Sequence, residues 1–188
     1  MIRITTGKYK NRVIPTQRNH NYRPSTSKIR EAIFSILTSG RFSHNNIFPG
    51  GQVLDLFAGT GSLAFEALSR GAAGATIVDI NEKCLNDAKA FAQSIGEEHN
   101  IIFLRLSALA LPKAIQQYDL VFIDPPYWKN LISTSLQSLL QGNWLRKGTV
   151  IAVESAKTED FALPQSIDLI SERIYGNTKL SILEHVGK

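Results

Sequence analysis

Asp55-Leu56-Phe57-Ala58-Gly59-Thr60-Gly61 decides the fold. Val53 to Phe57 is a short apolar run and Ser62 to Arg70 is rich in helix formers, so Ala58 to Gly61 has to be the sharp turn joining a strand to a helix. Glycine takes positive φ and has no Cβ. The backbone can therefore approach a ligand closely while the new helix directs its free N–H groups at a carboxylate or phosphate. The stretch reads as a nucleotide-type cofactor site.

Gly59-x-Gly61-x-x-Ala64 also fits the loose dinucleotide fingerprint, which decides little on its own. Asp55, four residues before the first glycine, breaks the tie, because a carboxylate there suits an ammonium and repels a pyrophosphate on the same loop. S-adenosylmethionine has an α-amino group, an α-carboxylate and no phosphate. Asp55 suits its amine, and the loop Phe57, Ala58, Gly59, Thr60 and Gly61 with the helix start suits the remainder. Twenty residues past Gly59, the apolar run from Ala75 to Val78 ends in Asp79, placed to accept both ribose hydroxyls, with Ile80 beside it. The bland alternative is a structural glycine turn with two solvated aspartates. Strand, loop, helix, strand and acid in this order argue against it.

The 188 residues, 43% apolar and 20% charged, are enough for a single globular domain with a sizeable core. No apolar stretch approaches the ~20 residues of a membrane span, and the N-terminus lacks a secretory signal, so the expected location is the cytoplasm. Cys84 is the only cysteine. It excludes an internal disulfide or a cysteine-rich metal site and reads as a small buried apolar residue; no metal is expected.

The net charge of +5 hides an asymmetry: residues 1–30 hold Arg3, Lys8, Lys10, Arg12, Arg18, Arg23, Lys28 and Arg30 with no Asp or Glu, leaving the rest of the chain net negative. A solvated basic face is the plain reading. Eight cations without an acid among them repel one another unless a polyanion neutralises them, which favours nucleic acid as a partner.

Ile2 to Thr5 and Arg12 to Pro15 are short β-prone runs flanking a basic turn, a hairpin able to lie on a phosphate backbone through Arg3, Lys8, Lys10 and Arg12. After a polar stretch in which His20 reads as a surface residue, Arg23-Pro24-Ser25-Thr26-Ser27 leads into a helix with an apolar stripe of Ile29, Ile33, Ile36 and Leu37. Its N-cap is a Ser or Thr, and Glu31 suits the early helix. Lys28 and Arg30 fall off the stripe, and Arg30 is expected to face RNA. Residues 1–40 thus form an RNA-binding hairpin and helix, and 41–188 a cofactor-binding core.

From Val53 the pattern alternates strand and helix, with a short helix expected near Pro112 to Gln116 and a β-hairpin of Ile167 to Tyr175 and Lys179 to Val186 around Gly176-Asn177. Near-continuous apolar strands such as Leu120-Val121-Phe122-Ile123 indicate burial on both faces. The expected fold is α/β and Rossmann-like: a mostly parallel seven-stranded sheet closed by an antiparallel C-terminal strand, the S-adenosylmethionine-dependent methyltransferase architecture.

In such sheets ligands sit beyond the C-terminal strand ends, where this chain places Asp124-Pro125-Pro126-Tyr127. Two prolines fix the backbone and donate no hydrogen bond, so the Asp124 carboxylate and the neighbouring carbonyls form a rigid acceptor patch suited to an –NH2 group. An exocyclic amine is a poor nucleophile whose lone pair is delocalised into its ring. Hydrogen bonds to Asp124 and to the Pro125 carbonyl would localise that pair and accept the charge that develops. Orientation supplies on the order of 7–11 kcal/mol in ideal cases. Tyr127 can stack on the base, worth roughly 1–3 kcal/mol. Trp128 either adds a second stacking surface or caps the core.

Arg23-Pro-Ser-Thr-Ser-Lys-Ile-Arg-Glu31, Asp55-Leu-Phe-Ala-Gly-Thr-Gly61, Glu66-Ala-Leu-Ser-Arg-Gly-Ala72 and Asp124-Pro-Pro-Tyr127 together resemble the bacterial 16S ribosomal RNA guanine-N2 methyltransferases, over nearly the whole chain. The resemblance implies methyl transfer to N2 of one guanine in small-subunit ribosomal RNA, within an assembly particle; the chain itself is expected to be a monomer. The resemblance also implies that Arg23 and Thr26 lie beside cofactor and substrate. Those enzymes usually carry an acid after the third strand for the adenine amino group; this chain reads Arg105-Leu106-Ser107-Ala108, leaving Ser107 or a backbone carbonyl for that contact, with Ala108 beside it among the cofactor-binding residues. An adenine-N6 methyltransferase on DNA uses the same acceptor tetrad for the same chemical reason. A noncatalytic RNA-binding assembly protein that has kept the fold is the reading from another class.

Overall fold

The structure, a computed structural model, describes residues 2–15, 27–39, 47–127 and 130–187. Arg23, Thr26, His20, Trp128 and the Ser or Thr expected to cap the first helix lie outside these residues, or at their edge in the case of Ser27.

Short strands β1 (Ile2–Arg3) and β2 (Val13–Ile14) pair antiparallel, as the N-terminal pattern predicts. Helix α1 (Ser27–Leu37) buries the expected stripe of Ile29, Ile33, Ile36 and Leu37 together with Phe34. Arg30 is the correction on this helix. It is 3% exposed, and its Nη2 donates to the Arg3 carbonyl at 3.0 Å, so the guanidinium serves the hairpin's backbone where an RNA-facing side chain was expected.

Strands β3 (Gln52–Leu56), β4 (Gly74–Asp79), β5 (Ile101–Arg105), β6 (Tyr118–Ile123), β7 (Leu145–Ala156), β8 (Ile167–Tyr175) and β9 (Thr178–His185) form one sheet in the order β5-β4-β3-β6-β7-β9-β8. All neighbours are parallel except β9, which runs antiparallel to β7 and β8. This is the expected Rossmann-like methyltransferase sheet. Chain order reverses between β3 and β6, and that switch point fixes where a ligand can enter.

Side chains alternate along the central strands. Val53, Ile77, Phe122 and Ala152 face a core shared with α1, α2 (Ser62–Ser69) and α3 (Glu82–Ser94). Leu54, Val78, Val121 and Ile151 face the opposite core, closed by α4 (Leu131–Gln141).

The helix expected near Pro112 to Gln116 is absent; the chain there is irregular. Its backbone groups are bonded to another element: Leu111 N donates to Ser138 Oγ at 2.7 Å, Ala114 N to the Gly142 carbonyl at 2.8 Å, and the Trp144 indole to the Pro112 carbonyl at 2.8 Å. With those groups committed to α4 and the turn after it, an internal helical ladder cannot form. Among the described residues, no helix is long and apolar enough to cross a membrane.

Candidate active site

β3 ends at Leu56 and the chain turns at once: Phe57, Gly59 and Gly61 all have positive φ, at 57°, 52° and 71°. A bulky aromatic in that region is held there by its surroundings. A Cβ on Gly61 would lie 2.8 Å from Ile77 Cδ1 and 3.0 Å from a Phe65 ring atom, so the loop packs directly on β4 and α2. Backbone bonds close it, with Gly61 N donating to the Ala58 carbonyl at 2.8 Å and Ala58 N to Val78 at 3.2 Å.

Two acids brace this loop. Asp55 is 2% exposed and its Oδ2 accepts from Ala64 N at 3.1 Å, taking up an amide of the first turn of α2. Burial pushes its carboxyl up to about 7 against the opposing Ala64 amide, and the charge of Asp79 adds to the rise. Asp79 accepts from Gly59 N at 2.7 Å through Oδ2 and from Asn81 N at 2.8 Å through Oδ1. It thus links the glycine loop to the start of α3, where the Asn81 side chain accepts from Lys83 N and Cys84 N.

Beyond these strand ends lies a cleft of about 280 Å³, whose lining includes Phe57, Asp79, Ile80, Ser107, Ala108 and Pro126. Six predicted residues from four separate stretches therefore meet at one site. Val78, Leu106, Leu109 and Leu131 also line it and were missed by the sequence reading. Leu109 carries a signal: like Ile80, it is a large apolar residue beyond a strand end, and the two stay 36% and 69% exposed. Ser107 Oγ accepts from Leu109 N at 3.3 Å, which fixes the turn. Asp55 lies beneath the loop and is not among the lining side chains.

The site suits S-adenosylmethionine on its own chemistry. Thr60 Oγ1, on the glycine loop and not in the cleft lining, is buried with no hydrogen-bond partner among the described residues, and its hydroxyl can donate to a carboxylate near the start of α2. Asp79 offers the remaining lone pairs of its carboxylate to hydroxyl groups. The apolar walls at Ile80, Ala108, Leu109 and Pro126 suit a flat purine. Among the described residues no group of three or more His, Cys, Asp or Glu is placed to hold a metal ion.

The acceptor tetrad follows β6. Asp124 is half-buried, Pro125 buried, and Pro126 exposed on the cleft wall. The Tyr127 hydroxyl donates to Glu154 Oε1 at 2.8 Å and lies 3.1 Å from Thr178 Oγ1. Burial foremost, with the charge of Glu154, holds the Tyr127 phenol above its ordinary value against a hydrogen bond with Thr178. The ring is thereby tied to the ends of β7 and β9.

Of the residues expected to meet RNA, Arg3, Lys8, Lys10 and Arg12 are exposed on the hairpin. Lys8 is paired with Glu97, a 2% exposed acid from the loop after α3, and that hydrogen bond raises the Lys8 pKa. The hairpin's charge is therefore compensated in part by an acid far along the chain.

The family described as conserved hypothetical protein 95 matches residues 2–184. An uncharacterized methylase of Rickettsia prowazekii is 40% identical, the match covering 98% of each chain. The ribosomal RNA small subunit methyltransferase D of Haemophilus influenzae is 31% identical over 93% of this chain and 89% of its own. Among solved structures, a putative methyltransferase of Escherichia coli is similar with a TM-score of 0.84 at 25% identity, covering 100% of this chain and 99% of that one. A match over nearly the whole sequence, a shared sheet topology and relatives named as small-subunit methyltransferases converge: the chain belongs to the ribosomal RNA small subunit methyltransferase D family.

Proposed function

We propose that this chain methylates the exocyclic N2 amine of a specific guanine in 16S ribosomal RNA, with S-adenosylmethionine as donor and a small-subunit assembly particle as substrate. The observation that carries the reading is that Pro126 of the acceptor tetrad and Asp79 of the cofactor strand line the same cleft.

Within that cleft Asp79 would hold the ribose, Ile80 and Ala108 the adenine faces and Ser107 its edge; Thr60 and the start of α2, on the glycine loop outside the cleft lining, would take the carboxylate. Asp55, buried at the foot of the loop, supplies negative potential for the ammonium. When bound, S-adenosylmethionine supplies an electrophilic methyl group.

The chain's own part is orientation. Asp124 and the Pro125 carbonyl accept hydrogen bonds from the guanine amine, direct its lone pair toward the cleft, and stabilise the positive charge on nitrogen until its proton leaves to water. Pro125 and Pro126 hold these acceptors rigid. Tyr127, anchored through its hydroxyl, presents its ring to the flipped base, and the stacking offsets much of the few kcal/mol of unstacking. Arg3, Lys10 and Arg12 on the hairpin meet the phosphates; Arg23 and Thr26 are assigned to the RNA and cofactor sides by family resemblance.

Asp124→Ala tests the assignment. Methyl transfer should fall by about 10²- to 10³-fold, as when one charge-stabilising group is removed from a preorganised site, while donor and RNA binding persist. Full transfer activity in that variant would remove the proposed mechanism.

A further inference from the structure

The motif Glu66-Ala-Leu-Ser-Arg70 has no part in the chemistry above, yet Glu66 is fully buried and Arg70 pairs with it at 2.9 Å. A carboxylate is rarely buried unless its oxygens are well supplied with donors. Here the N-terminal hairpin supplies them. Thr5 N donates to Oε2 at 2.8 Å, Thr5 Oγ1 to Oε1 at 2.7 Å, and Thr6 N to Oε1 at 3.1 Å.

Ser69, one helical turn further on, continues the contact. Its hydroxyl donates to the Thr6 carbonyl at 2.5 Å and accepts from Tyr9 N at 2.9 Å, while its carbonyl accepts from Lys8 N at 2.8 Å. Backbone meets backbone so closely that a Cβ on Gly7 would lie 1.7 Å from the Ser69 carbonyl oxygen, and Gly7 has a φ of 87°. Glu97 makes a second anchor by accepting from the Tyr9 hydroxyl at 2.5 Å.

We propose that Glu66, Ser69 and Arg70 form a docking socket that fixes the β1–β2 hairpin and sets the register in which Lys10 and Arg12 meet the RNA. They are positioning residues for substrate. The inference rests on the RNA reading of the preceding section for its consequence, though not for its geometry. A hairpin with two bridging pairs does not hold its shape alone, so the socket supplies its rigidity. Helix α2 opens directly after the cofactor loop, and Glu66 sits five residues past Gly61, about 7–8 Å along the axis. One short rigid element thus references both the cleft and the hairpin.

The test has two parts. Amide hydrogen exchange in the RNA-free protein reads the socket itself: protection should drop at least tenfold at Thr5 and Thr6 in Glu66→Ala, which removes their acceptor, and at Thr5, Thr6, Lys8 and Tyr9 in Gly7→Ala, which pushes the hairpin off Ser69. Unchanged protection would overturn the socket whatever the substrate is.

The second part is a cycle on affinity for unmodified small-subunit RNA. Lys10→Gln with Arg12→Gln should weaken binding about tenfold in the otherwise native chain. In the Gly7→Ala background, already weakened, the same pair should change affinity by less than about twofold, while donor affinity stays level. Equal effects of the pair in both backgrounds would overturn the positioning role. Should Gly7→Ala also lose donor binding, Thr5→Val with Ser69→Ala removes bonds without a clash, and the cycle repeated there must show the same loss of additivity or the inference fails. A native chain that binds no RNA would instead sink the substrate reading and leave the exchange result standing.

Discussion

The Tyr127 hydroxyl donates to Glu154 Oε1 at 2.8 Å, binding the loop after β6 to the end of β7. Two prolines fix the backbone ahead of the ring and this bond fixes its far end, so the stacking face has one orientation. A hydrogen bond to a charged partner is worth about 1.5–3 kcal/mol, so Tyr127→Phe and Glu154→Ala should each lower kcat by about 10-fold or more with donor affinity unchanged. Glu154→Gln, which keeps an acceptor, should stay near native. Single-turnover rates with saturating donor read this directly; an unaffected Tyr127→Phe would show that the anchor has no part in the reaction.

Thr60 predicts a change of opposite sign in two measurements. Its buried hydroxyl has no partner among the described residues, and an unmatched buried group costs about 1–3 kcal/mol. Thr60→Val should therefore raise the thermal stability of the ligand-free protein by about 1 kcal/mol and weaken donor binding several-fold. Calorimetry of both quantities on one sample decides it. Loss of stability together with native donor affinity would contradict the assignment.

Asp55 predicts a pH dependence. Its folded carboxyl titrates at about 7 against an ordinary 3.8, so between those values the folded chain keeps a proton that the unfolded chain has released. Stability from this group is full below the lower value, declines as pH rises, and is gone above about 7. The ligand-free melting temperature should thus fall as pH rises from about 4 to about 7, and Asp55→Asn should remove most of that slope. An ammonium nearby favours the ionised form, so donor binding should tighten as pH rises through 7 and release a proton, measurable by calorimetry in buffers of different ionisation heat. A flat profile in both forms would show that Asp55 does not titrate in this window.

Salt dependence separates the hairpin cations. Lys8 is already paired with the buried Glu97, whereas Lys10 and Arg12 are exposed at the turn. Each phosphate contact adds about 0.7–0.9 to the slope of log affinity against log salt. Lys10→Gln with Arg12→Gln should flatten the slope by about 1.5, and Lys8→Gln by well under half as much. Equal contributions from all three would show that Lys8 leaves Glu97 on binding RNA.

The parts legible in the sequence share a property: their residues are consecutive or follow a fixed strand order. Asp55 to Gly61, Asp79 and Asp124 to Tyr127 each end a parallel strand, so pattern alone places them at the C-terminal end of the sheet. The hairpin of β8 and β9 was visible for the same reason, since Gly176-Asn177 interrupts two β-prone runs. The contacts not legible in the sequence depend on partners distant in it. Arg30 reads as a surface cation until the Arg3 carbonyl is placed beside it. Glu66 and Glu97 lie 61 and 88 residues from the hairpin atoms they hold, and no local pattern announces such a pair. The stretch after Pro112 has helical composition, but its hydrogen-bonding groups are claimed by α4 and the turn beyond it.

In the proposed reaction the rim formed by Asp124 and Pro125 receives the amine of a guanine beside a bound methyl donor. The native chain and Asp124→Ala would be incubated with labelled S-adenosylmethionine and small-subunit particles lacking modification, and the RNA digested and its nucleosides weighed. Labelled N2-methylguanosine is expected from the native chain at one position and almost none from the variant. N6-methyladenosine, or no labelled nucleoside from a chain that binds both donor and RNA, would contradict it.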